Sequence, residues 1–340
     1  MKTSLVVTSI SGPNPILQAL AEGSRATGWT FLVAGDRRSP ADFHIEGCDF
    51  LDIESQRRLP FHYAALCPEN SYVRKNIGFL QAVAGGAEVI VETDDDNLPL
   101  ESFWKVRNPR ISGALFDRPG WANAYALFCD DFIYPRGFPL DLAKASMADG
   151  RVGLTESSLP CPIQQGLVDE CPDVDAIYRL MHTETPAFRK RGPVVLGEKT
   201  WCPFNSQNTT FFRAVFPLLY LPAFCTFRAT DIWRGLVAQR VLWSCGGKVS
   251  FHAPDVRQIR NPHDLLSDLE LEVPVYLYSK KVASALEQLT LDGGARNICA
   301  NLRRCYEILA DLKTVGPREP ELVEAWLADL TAAGWEPSEL

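Results

Sequence analysis

No run of this chain approaches the roughly 20 apolar residues that a membrane-spanning helix requires. The nearest, 211–227, is broken by Arg213, Pro217 and Pro222. Positive charge is also short: 34 Lys and Arg stand against 42 Asp and Glu, a net charge of -8. Neutralising many backbone phosphates needs the opposite balance, so no nucleic-acid partner is expected. The opening Met1–Ile10 has an apolar stretch too short for a signal-peptide core, and no small-residue cleavage site follows it. The ten cysteines form no CxxC pair and no metal spacing. They read as reduced, mostly buried thiols, with a cytoplasmic location as the expectation. Internal repeats and low-complexity tracts are missing as well.

What is present is a globular chain of 340 residues, 46% hydrophobic and 22% charged. Leu5 to Ile10 is a continuous β-branched run that suits a strand buried on both faces. Pro13-Asn14-Pro15 breaks it, Ile16 to Ala26 reads as a helix closed by Gly28, and Thr30 to Ala34 and Phe50 to Ile53 read as further strands. Asn70 or Ser71 can cap a helix carrying Val73, Ile77, Leu80 and Ala84 on one face, stopped by Gly85-Gly86. Ala87 to Glu92 is then a strand, with Thr93-Asp94-Asp95-Asp96-Asn97 at its carboxyl end. Strands alternating with helices predict an α/β fold with a mainly parallel twisted sheet and flanking helices. Residues 98–215 look loop-rich. Thr230 can cap a helix from Asp231 to Cys245, Lys248 to Phe251 makes a short strand, and a helical region closes the chain, with Arg296 to Leu312 and Pro320 to Ala333 as helices.

In open α/β sheets ligands bind outside the carboxyl ends of strands, which is where the three aspartates fall. Adjacent carboxylates repel, and a divalent cation resolves that cost. Oxygen ligands favour Mg²⁺ or Mn²⁺, which commonly combines one or two carboxylates with substrate phosphates. Asp94 and Asp96 are therefore candidate metal ligands, and Asp94 and Asp95 candidate donor contacts; a solvated acidic turn is the plain alternative. Arg74 and Lys75, off the apolar stripe of their helix, could meet donor phosphates or simply face water. Asp231 could engage an acceptor hydroxyl as base or orienting group, or serve the helix N-terminus. His252, with His263 as competitor, could complete a metal site. Asp173 and Asp175 share one side of an extended segment and could bind acceptor hydroxyls, with an Asx-turn as the alternative. Arg136, in Tyr134-Pro135-Arg136-Gly137, is grouped with them as acceptor-binding.

Several of these stretches, taken together and in order, resemble the STELLO family of glycosyltransferases. They are Asn70 to Gly78, Thr93 to Asn97, Tyr134 to Leu140, Gln164 to Leu167 with Pro172 to Asp175, and Thr230 to Gly235 with Ala238 to Arg240. The resemblance implies a GT-A-like fold over 1–275, with a nucleotide-binding half at 1–100, an acceptor half at 101–275 and a helical region at 276–340. By that analogy the DxD-type motif places Asp96 on the metal and Asp94 on the metal or the donor ribose. It also makes Asp231 the catalytic carboxylate and His252 the late metal ligand, and lines the nucleotide pocket with Thr8, Ser9 and Asp36. The expected activity is metal-dependent transfer of a hexosyl or pentosyl group from a nucleotide-sugar, a UDP-sugar first, to a carbohydrate or other hydroxyl acceptor. A nucleotide-sugar mutase and a non-catalytic nucleotide-sugar-binding scaffold are the rival readings.

Overall fold

The computed structural model describes residues 1–151, 153–260 and 264–340. The chain opens as β1 (Thr3–Thr8), α1 (Pro15–Thr27), β2 (Thr30–Ala34) and β3 (Asp49–Leu51). Leu5, Val6 and Val7 have no exposed surface, the fate of an unbroken apolar run in a strand covered on both sides. Asn14 caps α1 by accepting from the Leu17 amide at 2.8 Å, and Pro15 starts the helix where a missing N–H costs nothing. Gly28 ends it in the left-handed region at φ 72°. Short helices α2 (Ile53–Arg58) and α3 (His62–Leu66) lead to a 3-10 turn at Tyr72–Arg74. Then come α4 (Lys75–Ala84), β4 (Val89–Thr93) and β5 (Asn97–Pro99). Strands β3, β2, β1 and β4 lie side by side and parallel, so the carboxyl ends of β1 and β4 open along one edge.

The expectation of loops between 98 and 215 is corrected. That stretch holds β6 (Arg110–Phe116), β7 (Gly120–Trp121), α5 (Leu140–Ser146), β8 (Thr155–Pro160), β9 (Ile163–Asp169), α6 (Ala176–Met181), β10 (Val194–Leu196), β11 (Thr200–Trp201) and β12 (Asn208–Phe212). β12 runs antiparallel between β4 and β9, at the centre of the main sheet. Polar residues hid these strands. Gln164, Gln165, Thr209 and Thr210 are buried in them, and Gln165 and Thr209 bond each other across the ladder. The Thr209 hydroxyl and the Asn205 amide both donate to Gln165 Oε1 at 3.0 Å, while Gln165 Nε2 donates to the Asn208 carbonyl at 3.0 Å.

The rest is α7 (Thr230–Ser244), β13 (Val249–Gln258), α8 (Leu265–Gln288), α9 (Ile298–Asp311) and α10 (Glu319–Ala332). β13 is far longer than the expected strand; it pairs with β9, shifts register between His252 and Val256, and reaches β5, where Gln258 lies opposite Asn97. Thr230 does not cap α7: the boundary residue is Ala229, and the Thr230 hydroxyl turns back to the Pro222 and Thr226 carbonyls. The main sheet runs β3-β2-β1-β4-β12-β9-β13-β10-β6-β8, flanked by helices, an α/β architecture consistent with a GT-A-like fold. One large apolar core lies under α4, α7, α9 and α10, and a smaller one under α1. All ten cysteines are free. Among the described residues no helix is long and apolar enough to cross a membrane.

Candidate active site

The aspartates leave β4 in a tight turn, closed by the Asn97 amide donating to the Asp94 carbonyl at 3.2 Å. Asn97 Nδ2 and the Thr93 hydroxyl both donate to the Gln207 carbonyl, at 2.7 and 2.9 Å, which ties this turn to the segment entering β12. All three acidic side chains are half-buried and line a cleft of about 1640 Å³, including its open mouth. Thr8 and Ser9, at the exit of β1, line it too, with Arg38, Asn70, Ser71, Phe227 and Arg228.

Each aspartate has its own surroundings. Asp94 Oδ1 accepts from the Tyr72 hydroxyl at 2.9 Å and from Lys75 Nζ at 3.3 Å. Ser9 donates to Asp95, and Asn14 Nδ2 donates to the Asp95 carbonyl at 3.2 Å. Both Asp96 oxygens accept from Gln258 Nε2 at 3.1 Å. Burial, reinforced by the charge of Asp94, pushes the Asp96 carboxyl up to about 7, with the Gln258 bond opposing. Burial also raises Asp94 above the ordinary carboxylate range, against the pull of Lys75. Negative charge is therefore under-compensated at this corner.

A second pocket of about 550 Å³ lies beyond Asp94. The two share Tyr72, Asp94, Phe227, Arg228 and Gln258 as a partition. On its far side Arg136 is buried between two carboxylates. It grips Asp173 through two bonds of 2.8 and 2.9 Å, and its Nη2 meets Asp231 at 2.8 and 3.0 Å. Arg136 Nη1 also donates to the Arg228 carbonyl. Burial works to raise Asp231, yet the charge and hydrogen bonds of Arg136 prevail and hold its carboxyl below the ordinary range. Asp231 Oδ2 further accepts from the Ser206 amide at 3.2 Å and the Ser206 hydroxyl at 3.4 Å, and that hydroxyl contacts the Tyr72 hydroxyl at 2.7 Å. A continuous polar chain thus joins Asp94, Tyr72, Ser206, Asp231, Arg136 and Asp173.

Other sequence candidates fall outside this chain. Asp36 spends its carboxylate on the backbone amides of Arg37, Asn70 and Ser71, shaping the cleft edge from beneath. Arg74 does not face water or either cavity: it is buried, bonding Gln56 at 2.6 Å and the Cys67 carbonyl at 3.2 Å. Lys75 is buried behind the triplet, between Asp94 and, at 3.8 Å, Glu92. Asp175 parts from Asp173 and caps α6, accepting from the Tyr178 amide at 2.8 Å, the Asx-type alternative. His252 contacts the Ser250 hydroxyl at 2.9 Å and lines neither cavity. Five residues of strand, with a register shift among them, separate it from Gln258, the β13 residue that reaches Asp96. Burial and the neighbouring Arg107 push its imidazole down to about 3. His263 lies outside the described residues.

Among the described residues no group of three or more His, Cys, Asp or Glu side chains is set to hold a metal ion. Asp94 and Asp96, crowded with Asp95 in one turn and only partly compensated by Lys75, are oxygen ligands that fit a hard cation completing its shell with ligand phosphates and water. Tyr72, Ser206 and Gln258, which connect the site, were not singled out from sequence. Tyr72 did sit inside a quoted run, but Ser206 and Gln258 carry no spacing signal.

The model of the STELLO glycosyltransferases matches residues 228–340. Two Arabidopsis thaliana proteins are also similar. "Probable glycosyltransferase STELLO2" is 26% identical over 363 aligned positions, covering 98% of this chain and 45% of that protein. "Probable glycosyltransferase STELLO1" is 28% identical over 275, covering 74% and 34%. The chain is similar to the STELLO glycosyltransferases. It spans less than half the length of either STELLO relative. The STELLO match begins at Arg228 and takes in Asp231, Gln258 and the three closing helices, so it covers one wall of the site and what supports it.

Proposed function

We propose that this chain transfers a sugar from a nucleotide diphosphate donor, a UDP-sugar first, to a hydroxyl of a carbohydrate or other acceptor. Mn²⁺ or Mg²⁺ would be held by Asp94 and Asp96 and would neutralise charge on the departing diphosphate. The observation that carries this reading is the joining of two unlike carboxylate centres: the acidic turn in the large cleft and Asp231 in the small pocket, linked through Tyr72 and Ser206. The kinship with STELLO glycosyltransferases points the same way.

Residues 1–100 supply most of the large cleft and so receive the nucleotide, with Thr8, Ser9 and Asp95 at its floor; the acceptor enters from the 101–275 side. Lys75 steadies Asp94 from behind. Asp231, ionised at neutral pH because Arg136 holds it so, orients the acceptor hydroxyl and takes its proton. The acceptor oxygen bonds to the anomeric carbon as that carbon's bond to the diphosphate oxygen breaks, and the electron pair leaves with the diphosphate. Arg136 and Asp173 keep Asp231 in place.

Asp96→Ala tests the reading. Removing one of three crowded carboxylates should leave the unfolding midpoint unchanged or raised, while Mn²⁺-dependent UDP binding by calorimetry and sugar transfer both disappear. Wild-type transfer by this variant would sink the assignment.

A further inference from the structure

The small pocket carries four arginines, and they are not equally matched. Arg136 is spent on Asp173 and Asp231. Arg228 pairs with Glu272 at 2.6 Å, and Arg260 with Asp268 at 3.0 Å. Arg179 has no carboxylate at ion-pair distance among the described residues. Its Nη2 donates to the Pro172 carbonyl at 2.7 Å, its Nη1 touches the Cys171 sulfur at 3.9 Å, and its buried Nε has no hydrogen-bond partner among the described residues. Arg179 and Arg260 line the small pocket alone, whereas Arg228 lines both cavities. Burial, and then the charges of Arg179 and Arg228, lower Arg260 below the ordinary guanidinium range, so these cations crowd one another. Asp173 and Asp231 in the same lining are met by Arg136 and Asp94 by Lys75, so Arg179 alone of the four arginines is left without a carboxylate among the described residues, a partner that an entering anion would supply.

We propose that the small pocket recognises an oxyanion on the acceptor, a carboxylate or a phosphate, through Arg179, Arg228 and Arg260. The acceptor is then an acidic or phosphorylated sugar rather than a neutral one. This rests on the transferase reading for the word acceptor, though not for the binding itself. Guanidinium forks suit both anions, and each charge-assisted bond adds affinity as well as orientation.

Calorimetric titration of the whole chain with glucose, glucuronate and glucose 6-phosphate, with UDP and Mn²⁺ present, tests it without turnover. Either or both acidic sugars should bind at least about tenfold tighter than glucose, the size of one charge-assisted hydrogen bond. The tighter of the two identifies carboxylate or phosphate as the source. Arg179→Gln should erase that preference and leave UDP affinity unchanged, while Arg179→Lys, which keeps charge without the fork, should fall between. Equal binding of glucose and both acids overturns the proposal, as does an Arg179→Gln variant that weakens UDP as much as the acids, since the arginine would then serve the donor. A chain that binds acidic sugars as expected yet transfers nothing overturns the transferase reading alone. One that glycosylates glucose and both acidic sugars with equal kcat/KM, and for all three the same before and after Arg179→Gln, overturns the anion assignment alone.

Discussion

Arg136 binds two buried carboxylates at once, so its removal strands both. Breaking a buried pair from one side typically costs about 3–5 kcal/mol. Arg136→Met should lose at least that much in denaturant unfolding, with transfer abolished because Asp231 is no longer held. Asp175 offers a pH test. Burial pushes its carboxyl up to about 6, the charges of Glu272 and Asp173 add to this, and the Tyr178 amide and Tyr134 hydroxyl oppose. A carboxyl raised on folding favours the folded state least when ionised: its cost is nil below the unfolded value near 4 and complete above about 6. From pH 4 to pH 7 the wild type should lose on the order of 3 kcal/mol relative to Asp175→Asn. A constant difference between the two proteins across that range would count against the raised value. At this scale the sequence misled by treating Asp173 and Asp175 as a matched pair. Helix α6 begins between their roles, and the start of a six-residue helix leaves almost no periodic trace.

α7 places Asp231, and its approach to the sheet depends on Gly235. A methyl group there would sit 2.6 Å from the Phe204 carbonyl oxygen, two residues before Ser206. Gly235→Ala should therefore push the helix away from the segment that carries Ser206. The expected loss is about 1–3 kcal/mol of stability in thermal unfolding. A larger fall in kcat than in donor affinity should accompany it, as Asp231 and Ser206 separate. How well elements could be read from sequence followed their apolar pattern. β1, α1, β2, α4 and β4 were legible within a few residues because each shows a clean apolar run or stripe between turn signals. β9 and β12 were not, because Gln and Thr side chains bonding across the ladder replace the usual alternation. The acidic turn could be found because it ends a legible strand. Ser206 could not, because it precedes an illegible one.

Across the whole molecule, α10 supports the site from a distance. The Glu319 carboxylate, fully buried, accepts from the Ala223 and Phe224 amides at 2.9 and 2.8 Å and from the Tyr220 hydroxyl. It thereby anchors the loop that carries Phe227 and Arg228 into the partition between the cavities. Glu319→Ala leaves those donors unpaired, at about 1–3 kcal/mol for each. The variant should unfold several kcal/mol sooner in urea and should bind donor more weakly even where it remains folded; unchanged donor affinity would show that the loop holds itself. The partition that this loop helps to build consists of side chains that face both cavities at once. One tethered inhibitor, a nucleotide diphosphate joined by a short linker to an acid-bearing sugar, would occupy both chambers together. Its second half would bind at the millimolar effective concentration that a short flexible tether imposes, and its avidity would exceed that of either half alone.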